Sequence, residues 1–386
     1  MRHWLAAVAA CTAVASANAE VTVDVTYLRV ETEAPPVLSN LDPEPDDIGL
    51  AGAEVARADN ATTGRFLGHD YVLDVVSVPV GGDALAAAAE ALPEGGLLLL
   101  DAPADTALAI ADLPQAQGAL LFNTADPAPR LRDADCRANL LHSLPSAAMR
   151  ADALMQFLVA RRWTDLALIA GTYPEDLEFA AALERSAAKF RVEIGARKTW
   201  VFDADMRRNA AQEVPLFTQD FGDVDVILVA DEVGDFGRYI LYNTWLPRPV
   251  AGSEGLVPVA WAPVVEQWGA AQLQSRFEAH AGRSMRAQDY GAWAALRAIG
   301  EGVTRTGSAD PATLRAFLLS EDFELAGFKG RPLTFRTWNG QLRQPIPLVH
   351  PRALAALAPL EGFLHERTEL DTLGIDAAET ACTAFN

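Results

Sequence analysis

Apolar positions change period twice within the first eighty residues. Residues 21–28 have the pattern of a strand, and residues 71–78 that of a second one. Between them Ile48, Ala51, Val55 and Ala58 fall at i, i+3, i+7 and i+10, one apolar stripe of a helix. A Pro-rich loop carrying Asp42, Glu44, Asp46 and Asp47 precedes that helix. Asp46 or Asp47 is placed to cap it, since a carboxylate accepts from the unpaired N–H groups and complements the helix dipole. The breaker cluster Asn60-Ala61-Thr62-Thr63-Gly64 predicts its end. Strand, helix and strand form a βαβ unit, with the acidic loop at the carboxyl end of the first strand. Ligands meet doubly wound folds at that end.

The same alternation continues. A helix is expected over 83–92, and the all-leucine run 97–100 before Asp101 fits a strand buried on both faces. A helix over 106–113, a strand over 119–122 and a strand over 140–144 follow. Ser146 is placed to cap a helix reaching residue 162. Strands are expected over 166–170, 192–202 and 224–229, with helices over 175–190 and 235–242. This pattern predicts an α/β fold of two doubly wound parallel-sheet lobes. Beyond residue 269 come three helices, over 270–281, 287–306 and 311–319. Asn339-Gly340 then signals a hairpin between 333–336 and 342–345. The final 35 residues yield no assignment.

Composition narrows the class. The 386 residues exceed one ordinary core and suggest two domains. A net charge of −21 opposes binding to nucleic acid and to anionic lipid. Arg2, the apolar stretch 4–15 and Ala17-Asn18-Ala19 have the form of a signal peptide over 1–19, cleaved before Glu20. That stretch is too short to span a bilayer. Export would leave two cysteines, Cys136 and Cys382. One disulfide is the simplest reading in an oxidising compartment, and two unrelated thiols are the alternative.

Catalytic motifs are missing. Gly252-Ser253-Glu254-Gly255 falls one residue short of a nucleophile elbow, and neither a Walker A loop nor G-x-G-x-x-G occurs. The six histidines never pair at i, i+3 or i+4, which argues against a helical zinc site. No enzyme, cofactor or metal is expected. What remains is a set of polar residues at strand ends: Asp101 and Asp105, Asn123 and Thr124, Tyr173, Asp231 with Glu232, and Glu254. Each has a local alternative. Asp105 could cap the helix starting at Thr106, Thr124 could satisfy a turn, and Asp231 could cap the helix after it. Location is what unites them, because two α/β lobes would bring these ends face to face across a cleft.

Several segments in order resemble the type I, leucine/isoleucine/valine-binding-like subunits of ABC importers. They are Leu50-Ala51-Gly52-Ala53-Glu54-Val55-Ala56 through Gly68, ALLFNTADPAP at 119–129, LLHSLPSAAMR at 140–150, Ala170-Gly171-Thr172-Tyr173-Pro174, and Asp289-Tyr290-Gly291-Ala292-Trp293. The wording of 35–68 is similar to a branch associated with PQQ-dependent alcohol dehydrogenase systems. The resemblance implies a periplasmic protein that closes by hinge bending on a small ligand and presents it to a permease. It implies lobe 1 over 20–144 plus about 263–335, and lobe 2 over 145–262 plus about 336–386. The family's tyrosine falls on Tyr173, its amine-holding acid on Glu254 and its threonine on Thr124. The stretch Asp101-Ala102-Pro103-Ala104-Asp105 departs from the small and serine residues that hold a ligand carboxylate. Carboxylates there would repel one by several kcal/mol, about 4 at 4 Å and an effective dielectric near 20. A cationic, hydroxyl-rich or metal-containing ligand is expected instead of an ordinary amino acid. A periplasmic sensor or accessory factor for an alcohol dehydrogenase is the alternative function.

Overall fold

A computed structural model describes residues 21–33, 44–92, 95–201 and 206–385. The expected signal peptide and Asp42 lie outside them. The first sheet holds β1 (Val21–Val30), β2 (His69–Val78), β3 (Leu97–Asp101), β4 (Leu120–Asn123) and β5 (Leu140–His142). All are parallel, in the order β2-β1-β3-β4-β5. The second sheet is also parallel: β6 (Asp165–Ala170), β7 (Glu193–Thr199), β8 (Val226–Ala230) and β9 (Val250–Gly252), ordered β7-β6-β8-β9.

The buried runs explain why both sheets are covered twice. Side chains alternate across a strand, so a strand between two helical layers must be apolar on both faces. In β3, Leu97 and Leu99 join one core cluster while Leu98 and Leu100 join another. In β8, Val226 and Leu228 face one cluster, and Ile227 and Val229 face the other. Burying the four leucines of β3 contributes roughly 1.5–3 kcal/mol each.

Helix α1 (Leu50–Leu67) corrects two expectations. It runs through 60–64 and stops only at Gly68, whose left-handed backbone closes the last turn. Asn60 is not a breaker, because its side-chain amide donates to the Leu296 carbonyl at 2.8 Å. Leu296 belongs to α9 (Ala287–Thr306), against which α1 packs. Nor do Asp46 and Asp47 cap the helix. The Gly49 N–H donates to Asp289 Oδ1 at 2.8 Å, from a residue 240 positions away. Asp47 instead pairs with Arg283 at 2.8 Å.

Helices α2 (Ala84–Ala91), α3 (Ala104–Ala111), α4 (Ala147–Ala160), α5 (Pro174–Phe190), α8 (Ala270–Ala281) and α10 (Pro311–Leu318) match expected segments to within a few residues. Helix α3 starts at Ala104, two residues before the expected Thr106, so Asp105 lies inside its first turn and is not its cap. Ser146 caps α4 as expected, accepting from the Met149 N–H at 3.2 Å. Helix α6 (Met206–Thr218) was not anticipated, and α7 (Gly237–Ile240) is shorter than the 235–242 segment. Strands β10 (Val257–Pro258), β13 (Ile346–His350) and β14 (Ala353–Ala358) form an antiparallel sheet that periodicity did not reveal. The expected hairpin exists as β11 (Thr334–Phe335) and β12 (Leu342–Arg343). Cys136 and Cys382 form a disulfide, with Cα atoms 5.6 Å apart.

Core membership locates three passages between lobes. Leu144, Ala260 and Leu342 pack with the first sheet, whereas Ala147, Ala251 and Ile346 pack with the second. No helix among the described residues is long and apolar enough to cross a membrane.

Candidate ligand cleft

The carboxyl ends of both sheets open onto one cavity of about 600 Å³. From the first lobe come Glu33 and Glu44, Asp101 at the end of β3, and Asp126 after β4. From the second come Arg150 on α4, Glu175 on α5, Asp231 and Glu232 after β8, and Ser253 after β9. Among the described residues, seven carboxylates therefore line the cavity with one arginine.

Much of that charge is held by partners. Arg150 meets Glu232 through two hydrogen bonds, at 2.5 and 3.0 Å, and Ser253 Oγ donates to Glu232 Oε1 at 2.7 Å. These contacts hold the Glu232 carboxyl below the usual range against the opposing effect of burial. Arg150 also lies 4.5 Å from the Phe179 ring centroid. Across the cleft the Tyr27 hydroxyl donates to Asp101 Oδ2 at 2.8 Å. Burial pushes the Asp101 carboxyl up, opposed by Tyr27 and by Arg29. Gly49 makes room for this pair: it sits at φ +77°, and a Cβ there would approach the Tyr27 oxygen to 2.3 Å.

The helix ends facing the cleft are already supplied with carboxylates. Asp126 Oδ2 accepts from the Ala104 N–H, in the first turn of α3, at 2.6 Å. Asp231 accepts from the N–H groups of Asp235, Phe236 and Gly237 at 2.9, 2.9 and 2.6 Å. Asp176, in the first turn of α5, accepts from Glu232 and Tyr173 N–H groups at 2.6 and 3.3 Å. These are the positions where a ligand anion would bind. The starts of α3 and α7 are filled from within the chain, and Asp176 adds a carboxylate in the first turn of α5.

Of the residues singled out in the sequence, Asp101, Asp231 and Glu232 line the cavity, with Glu44 of the acidic loop. Asp105 pairs with Arg130 at 2.5 Å, and its carboxylate is 90% exposed. Asn123 and Thr124 are buried and do not line the cavity. Asn123 Oδ1 accepts from the Asp126 N–H at 2.9 Å, and Thr124 Oγ1 donates to the Leu100 carbonyl at 2.9 Å, so both shape the loop. Tyr173 caps α5 through its backbone, and burial followed by nearby Asp235 pushes its hydroxyl up. Glu254 packs against Gly237. Asp126, Arg150 and Glu175 were missed. Their only sequence signal was proximity to strand ends and helix starts. Among the described residues no group of three or more His, Cys, Asp and Glu side chains could hold a metal ion.

Glu178 on α5 stands near Asp126, Arg132 and Arg130 of the first lobe. Burial, then Asp126, raises its carboxyl from 4.5 to about 7. A raised carboxyl binds its proton more tightly in the folded state. Its contribution to stability is thus full below about 4.5 and declines as pH rises through about 7. Urea unfolding at pH 5 and pH 7 should show a difference that shrinks in Glu178→Gln. An unchanged difference would remove Glu178 from this account.

No protein-family profile and no curated protein sequence matches the chain. Solved structures do. A branched-chain amino acid ABC transporter periplasmic ligand-binding protein from Burkholderia xenovorans LB400 is 18% identical, with 95% of this chain and 100% of that one covered and a TM-score of 0.69. A leucine-, isoleucine-, valine-, threonine- and alanine-binding protein from Brucella ovis, in a closed conformation, is 12% identical, covering 84% and 88%, TM-score 0.64. An ABC transporter solute-binding protein from R. palustris in complex with benzoate is 13% identical, covering 94% and 99%, TM-score 0.64. With two parallel sheets, three passages between them and one cleft at their carboxyl ends, this chain has the two-lobed fold of the type I periplasmic binding proteins.

Proposed function

We propose that this protein is the periplasmic solute-binding subunit of an ABC importer and not an enzyme. It captures a small ligand between its lobes and presents the closed form to membrane permease subunits. The observation that carries this reading is the 600 Å³ cavity walled by strand ends of both sheets. Groups split between two bodies favour closure on a ligand that touches both. The passages at 144–147, 251–260 and 342–346 act as the hinge between lobe 1 (about 20–144 and 260–342) and lobe 2 (about 147–251 and 346–386).

The ligand is cationic or rich in hydroxyls. Among the described residues seven carboxylates face one arginine, and that arginine is already paired with Glu232. A ligand carboxylate would find the α3 terminus occupied by Asp126. Asp101 and Asp231 supply the acidic contacts on opposite walls. Asp105, Asn123, Thr124, Tyr173 and Glu254 support the loops that carry them. An association with PQQ-dependent alcohol oxidation rests on the wording of residues 35–68 and names the setting, not the ligand.

A thermal-shift panel of diamines, polyols, leucine and benzoate tests this. A diamine or polyol should raise the melting temperature, while leucine and benzoate leave it unchanged. One at a hundredfold excess over its dissociation constant adds about 2.7 kcal/mol of apparent stability. In Asp126→Ser the α3 terminus is opened, and benzoate affinity should rise by up to about tenfold, the weight of a helix terminus on an anion. Stabilisation of the unaltered protein by leucine alone would overturn the acidic-cleft reading.

A further inference from the structure

A second cavity, of about 190 Å³, lies beside the last passage between lobes, with walls from Trp268, Lys329, Arg331, Pro345 and Leu357. It shares no lining residue with the cleft. Lys329 is 1% exposed. Its Nζ donates to Gln344 Oε1 at 2.6 Å and lies 4.2 Å from the centroid of the Tyr290 ring. No carboxylate pairs with it among the described residues. An ammonium buried with only a neutral amide partner is costly, and burial pushes Lys329 well below the ordinary lysine range.

The wall beside Lys329 is built from strained backbone. Trp268 and Phe328 both adopt left-handed conformations, at φ 55° and 57°. Bulky residues there cost about 1–3 kcal/mol each, and such strain clusters at ligand clamps. The two segments interlock through glycines. A Cβ on Gly330 would come within 2.7 Å of the Trp268 ring, and one on Gly269 within 2.9 Å of the Phe328 ring. The interlock fixes the indole at the rim of the cavity.

We infer that this cavity binds a small monocarboxylate of acetate to propionate size, held by Lys329 and Arg331 with its apolar end against Pro345 and Leu357. The volume is far above the roughly 10–15 Å³ that admits one water. Walls of Trp268, Pro345, Leu357 and Pro359 suit a short alkyl group and cannot satisfy the outer oxygens of sulfate or phosphate. Arg331 reaches the site while paired with Glu369. Among the described residues Tyr290 faces the Lys329 amine and Arg331 shares the cavity wall with it; neither offers a negative charge at neutral pH, and the Glu369 carboxylate is engaged by Arg331. The ligand carboxylate supplies that charge. It favours the protonated form of the Lys329 amine, so binding is accompanied by proton uptake from solvent and forms an ammonium–carboxylate pair. The link from Lys329 to Gln344, whose amide donates to the Ser143 carbonyl at 2.7 Å, ties the occupied cavity to two of the three passages.

Calorimetry of sodium acetate and sodium propionate at pH 7.5, in two buffers of different ionisation enthalpy, tests the site. Saturable binding with net proton uptake is expected. Lys329→Met should weaken it at least tenfold and abolish the uptake. Leu357→Trp fills the cavity and leaves Lys329 in place, and it should weaken binding equally, with unchanged circular dichroism. Acetamide and sulfate should not compete. Absence of saturable binding, binding without proton uptake, competition by sulfate, or full affinity in a folded Leu357→Trp would each overturn the assignment.

Discussion

Asp289→Ala is expected to lower the unfolding free energy by about 3–5 kcal/mol, measured by urea denaturation. The side chain is fully buried and serves four donors. Oδ1 accepts from the Gly49 N–H at 2.8 Å and from Arg283 Nη2 at 2.9 Å. Oδ2 accepts from the Arg286 N–H at 2.8 Å and from Arg283 Nη1 at 2.7 Å. Asp289 and Asp47 together hold Arg283 above the ordinary arginine range. Truncation would leave the N-terminal N–H of α1 and the Arg286 N–H without acceptors, and would strip Arg283 of its closest counter-charge. The damage would reach the cleft, because Gly49 frames the Tyr27–Asp101 pair. Asp289→Asn keeps one acceptor oxygen and should lose less. A loss below about 1 kcal/mol in Asp289→Ala would show that this buried network contributes little.

Breaking the Cys136–Cys382 disulfide should cost about 2–5 kcal/mol. The bond spans a sequence separation of 246 residues, so it removes much freedom from the unfolded chain. The chain-entropy relation gives about 5.5 kcal/mol at 25 °C for a loop of that length, an upper figure because unfolded chains retain structure. In the folded state the bond ties the tail to the segment after β4, where the Ala381 N–H also donates to Asp133 Oδ1 at 2.5 Å. Equal denaturant midpoints for the unaltered protein and the Cys136→Ser, Cys382→Ser double variant would contradict this.

The parallel sheets were legible because strands buried on both faces need unbroken apolar runs, and residues 97–100 and 226–229 supply them. The end of α1 was misread for a local reason. Asn60 is a poor helix former by propensity, but its bond to Leu296 on α9 outweighs that preference. The antiparallel sheet escaped notice because β10 has two residues and Pro258 and Pro347 lie within its strands. The cleft was legible in place but less so in detail. Strand ends marked Asp101 and Asp231, whereas the cap on α3 is Asp126, 22 residues from Ala104, and not neighbouring Asp105. The Arg150–Glu232 pair joins residues 82 apart, and no local pattern predicts it.

Hydrogen–deuterium exchange tests the central claim most directly. The protein is compared alone and with the panel diamine or polyol that stabilises it most. Protection should appear together at Asp101, Ala102, Ala125 and Asp126 of the first lobe and at Asp231, Glu232 and Ser253 of the second, the cleft walls on both sides. Protection confined to one lobe, or to the segment around Lys329, would contradict capture between the lobes.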